Sequence, residues 1–260
     1  MALFEHVGRR LEFTDAGRTL LRYAHSMAQQ SEEARSRVRA TEARPSGRLV
    51  VAGHISAIGT LIGPAIARLG LLYDDLGITA EECQSKDAIP TLLSGIADLV
   101  VMPVGAHTPT VRDPRCSVIV IGTEPIDLLV PEGHRLATAE GVQLADAAAE
   151  DWIVGNIGTD SRNETNAACH QAGFIPKPAH FAQDWSAVAA LVRSGLGVAL
   201  VTRSVLINLY PGTVRIPLSG QNPPVRHIVA CTRSGAETNT EIHLLIEELR
   251  TITQTVNAPL

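Results

Sequence analysis

The residues able to do covalent or metal chemistry are dispersed along this chain. Four cysteines stand at 83, 116, 169 and 231, and no two form a C-x-x-C pair. Neither a structural zinc site nor a secreted disulfide framework is expected. The nine histidines are scattered, and Cys169 and His170 are neighbours, which on a helix do not share a face. Gly195-Leu196-Gly197 looks like the start of a dinucleotide fingerprint, but Leu200 stands where the third glycine belongs. A strand pattern follows it, where that fingerprint needs a helix. There is no G-x-S-x-G elbow and no H-E-x-x-H pair, so two common catalytic signatures are absent. The chain reads as having no catalytic residues, no metal and no cofactor.

Ligand recognition is the chemistry that remains, and its candidates sit where strands end. His54 and Ser56 follow an apolar strand and precede a helix. Ser56 could cap that helix, where free N–H groups attract an anion or a carbonyl. Ser85 and Asp87 occupy the corresponding turn after the next strand, with Asp87 read as an N-cap first and a ligand contact second. Met102-Pro103-Val104 ends the third strand, a place that either shapes an apolar ligand or packs a hinge. Further on, Asn156-Ile157-Gly158-Thr159 joins a strand to a helix. Gly155 and Gly158 permit close approach of backbone to ligand, and Thr159 is the favoured contact. Trp185, after Asp184, could stack on an aromatic ligand or sit in the core. Thr202 follows the strand that begins at Val198.

These residues need elements to hold them. Arg48–Ala52, Ile78–Cys83 and Asp98–Met102 read as strands, alternating with helices over Ile58–Leu69 and Ala88–Ser94. Pro64 implies a kink in the first helix or a later start. This alternation predicts a parallel sheet. A hinge-like HTPTVRDPRC stretch with two prolines follows. Ser117–Thr123 and Ile126–Val130 read as two strands around Glu124-Pro125. The alternation then restarts, with strands at Trp152–Gly155, Ala179–Ala182, Val198–Val201 and Thr213–Pro217. Helices are expected over Ser161–Ala172, Ser186–Arg193 and Ser204–Leu209. Arg226–Cys231 is a last strand, and Thr240 to about Gln254 a helix with Ile242, Leu245, Ile246, Leu249 and Ile252 on one face. The chain would cross between two lobes near 123–126 and again near 220–225, leaving a cleft for a small ligand.

The first 43 residues are of another kind. A short basic strand-turn-strand with Gly8-Arg9-Arg10 at its tip leads into a long helix that starts near Thr14-Asp15 and runs to about Glu42. Thr14 is a plausible N-cap, and Asp15 complements the positive helix end. Leu20, Ala24, Met27, Ser31, Ala34 and Val38 recur at heptad spacing, a seam that needs a partner, most simply a second copy of the chain. Gln29, Gln30, Glu32, Arg35, Arg37 and Arg39 lie opposite. Residues 1–48 hold nine arginines against six acids, about +3, whereas the remainder is near −8. A basic end on an acidic body hints at nucleic acid for the small part. The hydrophobic content of 45% with few aromatics suits an α/β body. No apolar leader opens the chain and its apolar runs fall short of a membrane span, so a cytoplasmic protein with no membrane partner is expected.

Taken together these segments resemble the LysR-type transcriptional regulators. LFEHVGRRLEFTDAG resembles the wing of that family's winged helix-turn-helix and the turn that opens its dimerisation helix. GRLVVAGHISAIGTLIGPAIARL resembles the first strand and helix of the effector-binding domain, LLSGIADLVVM its third strand, IDLLVPEGHRLA its second-lobe entry, and LVRSGLGVALVTRS its Gly-Leu-Gly strand. Where the family usually has His-Pro-Leu, this chain has His134-Arg135-Leu136. The resemblance implies a two-lobed, periplasmic-binding-protein-like effector domain after a dimerisation helix and a wing remnant. Its expected divisions are residues 1–14 for the wing, 15–43 for the dimerisation helix and 47–260 for the effector domain, with lobe I at 47–123 and 225–260 and lobe II at 124–224. It implies a small-molecule effector at His54, Ser56, Ser85, Asp87, Met102, Val104, Thr159, Trp185 and Thr202. It also implies a homodimer or tetramer through the helix seam, and DNA-backbone contacts from Arg9 and Arg10.

The family's three helices before the wing have no counterpart in this sequence, so sequence-specific operator binding is not expected of the chain as it stands. That leaves a natural dimerising fragment or a misassigned start as alternatives. The rival readings are a transporter's solute-binding protein, which predicts an export signal, and a small α/β enzyme, which predicts a convergent acid/base set. Family members that sense peroxide use a cysteine pair in the second lobe, where this chain has Cys169.

Overall fold

The structure is a computed structural model that describes residues 1–39, 44–137, 141–205 and 210–256. It begins with a hairpin of β1 (Phe4–Val7) and β2 (Arg10–Phe13), paired antiparallel, with Phe4 stacked near Phe13 at 4.7 Å between ring centroids. Helix α1 (Asp15–Arg39) follows. Thr14 caps it, accepting from the Gly17 N–H at 3.0 Å, which satisfies one of the free donors of the first turn. Its expected end near Glu42 lies outside the described residues.

Lobe I is built on a sheet covered on both faces. Strands β3 (Gly47–Gly53), β4 (Leu76–Glu82) and β5 (Leu99–Pro103) are parallel, with β3 in the middle. In β3, Leu49 and Val51 face one core while Ala52 faces another; in β5, Leu99 and Val101 alternate with Val100 and Met102 in the same way. Burial on both faces is why these strands read as continuous apolar runs. Helix α7 (Thr240–Val256) closes the first core with Ile242, Leu245, Ile246, Leu249 and Ile252.

The helical run after β3 differs from its expected form. It starts earlier, with α2 (Ile55–Ala57), continues through a π-helical turn at Ile58–Ile62, and becomes α3 (Gly63–Leu72) with Pro64 in its first turn. Proline has no N–H for the ladder, and a wide turn just before it lets the helix continue. The run Ile55–Leu72 is therefore long and apolar enough in composition to cross a membrane, unlike the shorter runs expected, and Leu61, Ile62, Ala65 and Leu69 within it pack into the lobe I core. Helix α4 (Ser85–Leu93) covers the other face.

The expected pair of strands around Glu124-Pro125 is a single strand, β6 (Cys116–Pro131). Its first half pairs with β11 (Val225–Arg233), and its second half with β9 (Ala199–Thr202) and β10 (Thr213–Ile216), all antiparallel. Pro125 does not break it, because at this position the N–H it lacks is not needed: β11 ends opposite it and the Ile126 N–H donates to Pro224 instead. The HTPTVRDPRC stretch is a loop on lobe I between β5 and β6, and β6 itself makes the crossing. Lobe II adds the parallel pair β7 (Asp151–Val154) and β8 (Lys177–Phe181), helices α5 (Asp160–Gln171) and α6 (Trp185–Arg193), and a core around the fully buried Trp152. Most of the helix expected at Ser204–Leu209 lies outside the described residues.

Helix α1 lies against lobe I with its polar side. Ser36 is buried, its hydroxyl 3.5 Å from the Gly235 carbonyl. Arg233 reaches Glu32 at 3.2 Å and Asp98 at 3.0 Å, and donates to the carbonyls of Leu92 and Ala97. The polar face expected to be solvated is thus partly an internal contact. The heptad face points outward: Leu20 is 52% and Met27 and Val38 are each 70% exposed.

Candidate functional site

A cavity of about 570 Å³ lies between the lobes, a size suited to a metabolite-sized ligand. Strand ends and helix starts from both lobes build its wall. Lobe I supplies His54, Gln84, Ser85 and Lys86; lobe II supplies Asn156 to Ser161, Glu164, Gln183 to Trp185, Leu200 and Thr202. The crossing strands add Ile126 and Arg226. Across the mouth the Gln183 side-chain amide donates to Gln84 Oε1 at 3.0 Å, a direct contact between lobes.

The structure brings His54, Ser85, Thr159, Trp185 and Thr202 onto this one wall. Thr159 is first of all the N-cap of α5, accepting from the Arg162 N–H at 3.4 Å and donating to the Asn156 carbonyl at 2.7 Å. A side chain on Gly155 would put its Cβ 2.6 Å from the Thr159 hydroxyl, so that glycine makes room for the cap rather than for a ligand. Thr202 is buried beside Ser204, with 3.4 Å between hydroxyls. Trp185 opens α6 just after its N-cap Asp184, at the edge of the lobe II core. Its indole N–H is buried without an acceptor.

Four expected residues lie off the wall. Ser56 does not cap its helix: His54 is the N-cap, and it makes no side-chain cap bond. The Ser56 hydroxyl is 7% exposed as a residue and accepts from Arg226 at 3.1 Å. Asp87 is an exposed third residue of α4, whose N-cap is Gln84. Met102 is packed in the lobe I core, and Val104 is exposed on the loop side while its neighbour Pro103 lines the cavity.

The most consequential residues were not foreseen. Arg226 pairs with buried Glu124 at 2.6 Å, and Glu124 also accepts from the Ser204 N–H at 2.8 Å. One buried ion pair thus ties β11, β6, the start of α2 and the turn after β9 at the crossing. No local signal marks it, because its partners come from distant segments. Asp160 and Glu164 were more legible: α5 begins DSRNE, with acids four apart on one helix face. Burial pushes the Glu164 carboxyl above the usual range, Arg226 pulls it down, and Asp160 and Glu124 push it up. Burial likewise lowers His54, with Arg226 adding to the effect, which favours its neutral form. Among the described residues no cluster of three or more His, Cys, Asp or Glu could hold a metal ion. The described wall has no nucleophile paired with a base. It offers hydrogen-bonding groups, fixed charges and an apolar floor, a set for binding.

The LysR substrate binding domain family matches residues 42–254. The transcriptional regulator ShiR of Corynebacterium glutamicum is 28% identical over 234 residues, covering 88% of this chain and 77% of that protein. The dual regulator GltC of Bacillus subtilis is 25% identical over 231 residues, covering 88% and 75%. Among solved structures, a mutant OxyR of Corynebacterium glutamicum in its H2O2-bound form superposes with a TM-score of 0.74 at 21% identity, covering 99% of this chain and 80% of that one. The effector binding domain of QuiR in complex with shikimate gives 0.67 at 13% identity, covering 81% and 99%. The relatives are transcription regulators, not enzymes.

Proposed function

Because the chain belongs to the LysR substrate-binding family, we propose that it is the sensing and dimerising part of a transcription regulator, and that a small-molecule effector binds between its lobes. The observation that carries this reading is the cavity of about 570 Å³ lined from both lobes and bridged by Gln84 and Gln183. A ligand there contacts both lobes at once, so it biases the angle between them. QuiR, whose effector domain has this fold, was solved with shikimate, and a metabolite of comparable size fits the space here.

Strand β11 gives that bias a route. Arg226 near its first residue holds the crossing, and Arg233 at its last holds α1 through Glu32. A shift at the cleft end is delivered to the helix by a rigid strand. In this reading the outward seam of α1, including Leu20, Ala24, Met27, Ala34 and Val38, pairs with a second copy. Arg9 and Arg10, on the β1–β2 hairpin, add phosphate contacts that strengthen DNA binding without reading sequence. The divisions at residues 14, 43 and 47, and the two crossings between lobes, complete the proposal.

The test is a thermal-shift screen of small metabolites against the chain and against Ser161→Trp, which fills the cavity from its wall. A ligand at a hundred times its Kd stabilises by about 2.7 kcal/mol. The expected result is a concentration-dependent rise in Tm that the substitution abolishes. A rise that persists in Ser161→Trp would place binding elsewhere and defeat the proposal.

A further inference from the structure

We propose that the effector carries a small organic cation, a primary ammonium or guanidinium group, seated against Asp160 and Glu164. This rests on the reading of the cavity as the effector site and names the chemistry of its ligand. Asp160 and Glu164 stand one turn apart on α5, and both line the cavity. Asp160 Oδ1 and Glu164 Oε1 are buried, and neither has a hydrogen-bond donor. An ionised carboxylate only accepts, and a buried acceptor left unpaired costs about 1–3 kcal/mol. A guest that brings N–H donors relieves both atoms.

The protein's own cations are committed elsewhere. Arg226 spends its Nε on Glu124 at 2.6 Å and an Nη on Ser56 at 3.1 Å. Arg162, on the same helix, turns to the Gly155 carbonyl at 3.3 Å and lies over the Phe181 ring at 5.3 Å. On the lobe I wall Lys86 and Glu82 are of opposite sign. The surroundings of Glu164 therefore contain one guanidinium against the carboxylates of Asp160 and Glu124, an excess of negative charge in a space open to a ligand. Asp184 is held by the N–H groups of Ser186 and Ala187 and adds no free acceptor of the same kind. A second, independent feature completes the guest: the Trp185 indole N–H on the same wall is buried without an acceptor. It asks for a carbonyl or hydroxyl oxygen, and Ile126 and Leu200 offer apolar surface for the carbon frame between.

Isothermal titration of the chain, Asp160→Asn and Glu164→Gln with four probes tests this. Agmatine and tyramine supply the cations; 4-hydroxyphenylacetate and shikimate supply anions of similar size. The expected result is binding of at least one cation, weakened tenfold or more in each variant, while circular dichroism shows both variants folded. Binding of an anion that Glu164→Gln leaves unchanged or tightens overturns the cation assignment and leaves the effector cleft standing. Absence of binding by all four probes, in a chain that does respond to another metabolite in the thermal-shift screen, also overturns the assignment alone. A screen in which no metabolite binds the cavity overturns the assignment and the effector reading together.

Discussion

At the scale of single residues, the Arg226–Glu124 pair and the two α5 carboxylates behave in opposite ways. Glu124 is 2% exposed and takes charged and neutral donors on separate oxygens. Removing Arg226 leaves that carboxylate buried with its counter-charge gone, and breaking such pairs costs about 3–5 kcal/mol. Arg226→Met is expected to lose that order of stability in urea denaturation, whereas a surface change such as Arg135→Met loses little, because Arg135 meets Glu150 in the open. Glu164 is the reverse case. Its carboxyl is raised in the fold by burial first, so the folded state binds its proton more readily than the unfolded state does. Its favourable contribution is present below the unfolded value of 4.5 and is lost as pH rises through the raised one. Glu164→Gln is therefore expected to raise Tm at pH 7.5 without ligand, with the gain vanishing toward pH 4. A constant gain across that range, read by scanning calorimetry, would contradict the argument.

Among the elements, the contact between α1 and lobe I is the one most open to a single substitution. Gly235 has φ +91, and a Cβ there would stand 2.5 Å from the Gln29 carbonyl oxygen in α1. The left-handed backbone alone costs a side chain about 1–2 kcal/mol, and the clash falls on backbone that cannot swing aside. Gly235→Val is expected to pry α1 from lobe I, seen as faster amide exchange over residues 29–36 with the cores of both lobes unchanged. Arg233→Met acts on the same contact by removing the links to Glu32 and Asp98. If exchange in α1 stays unaffected in both variants, β11 does not hold the helix as described. The π-helical turn before Pro64 shows the same logic inside an element, since a local widening replaces the kink that proline would otherwise impose.

For the whole molecule, the exposed seam of α1 sets the assembly. Leu20 and Met27 lie outward on a helix whose other side already packs on lobe I, so a second copy can cover them without disturbing either lobe. Leu20→Glu with Met27→Glu is expected to weaken the dimer by at least tenfold in sedimentation equilibrium while Tm of the lobes hardly changes. A dimer that resists both charges would have to use another face.

The sequence by itself determined the elements and their broad order. The apolar runs of β3 and β5, the 3.6-residue stripe of α7 and the Thr14 cap are local patterns, and local backbone and burial preferences are enough to specify them. The family resemblance was legible for the same reason, since its motifs are short strands and turns. Tertiary structure alone decided that β6 is one strand, because its two halves are held by different partners that arrive 70 to 110 residues later. It also decided which strand-end residues share a wall. Ser56, Asp87, Met102 and Val104 occupy the right loops, yet hydrogen bonds and packing turn them away, while Thr159, Trp185 and Thr202 meet His54 and Ser85 across the cleft. Arg226 and Glu124 stand 102 residues apart, and no pattern of spacing announces a pair made by strands that cross between lobes. Charge, unlike hydrophobic periodicity, acts on whatever the fold brings near.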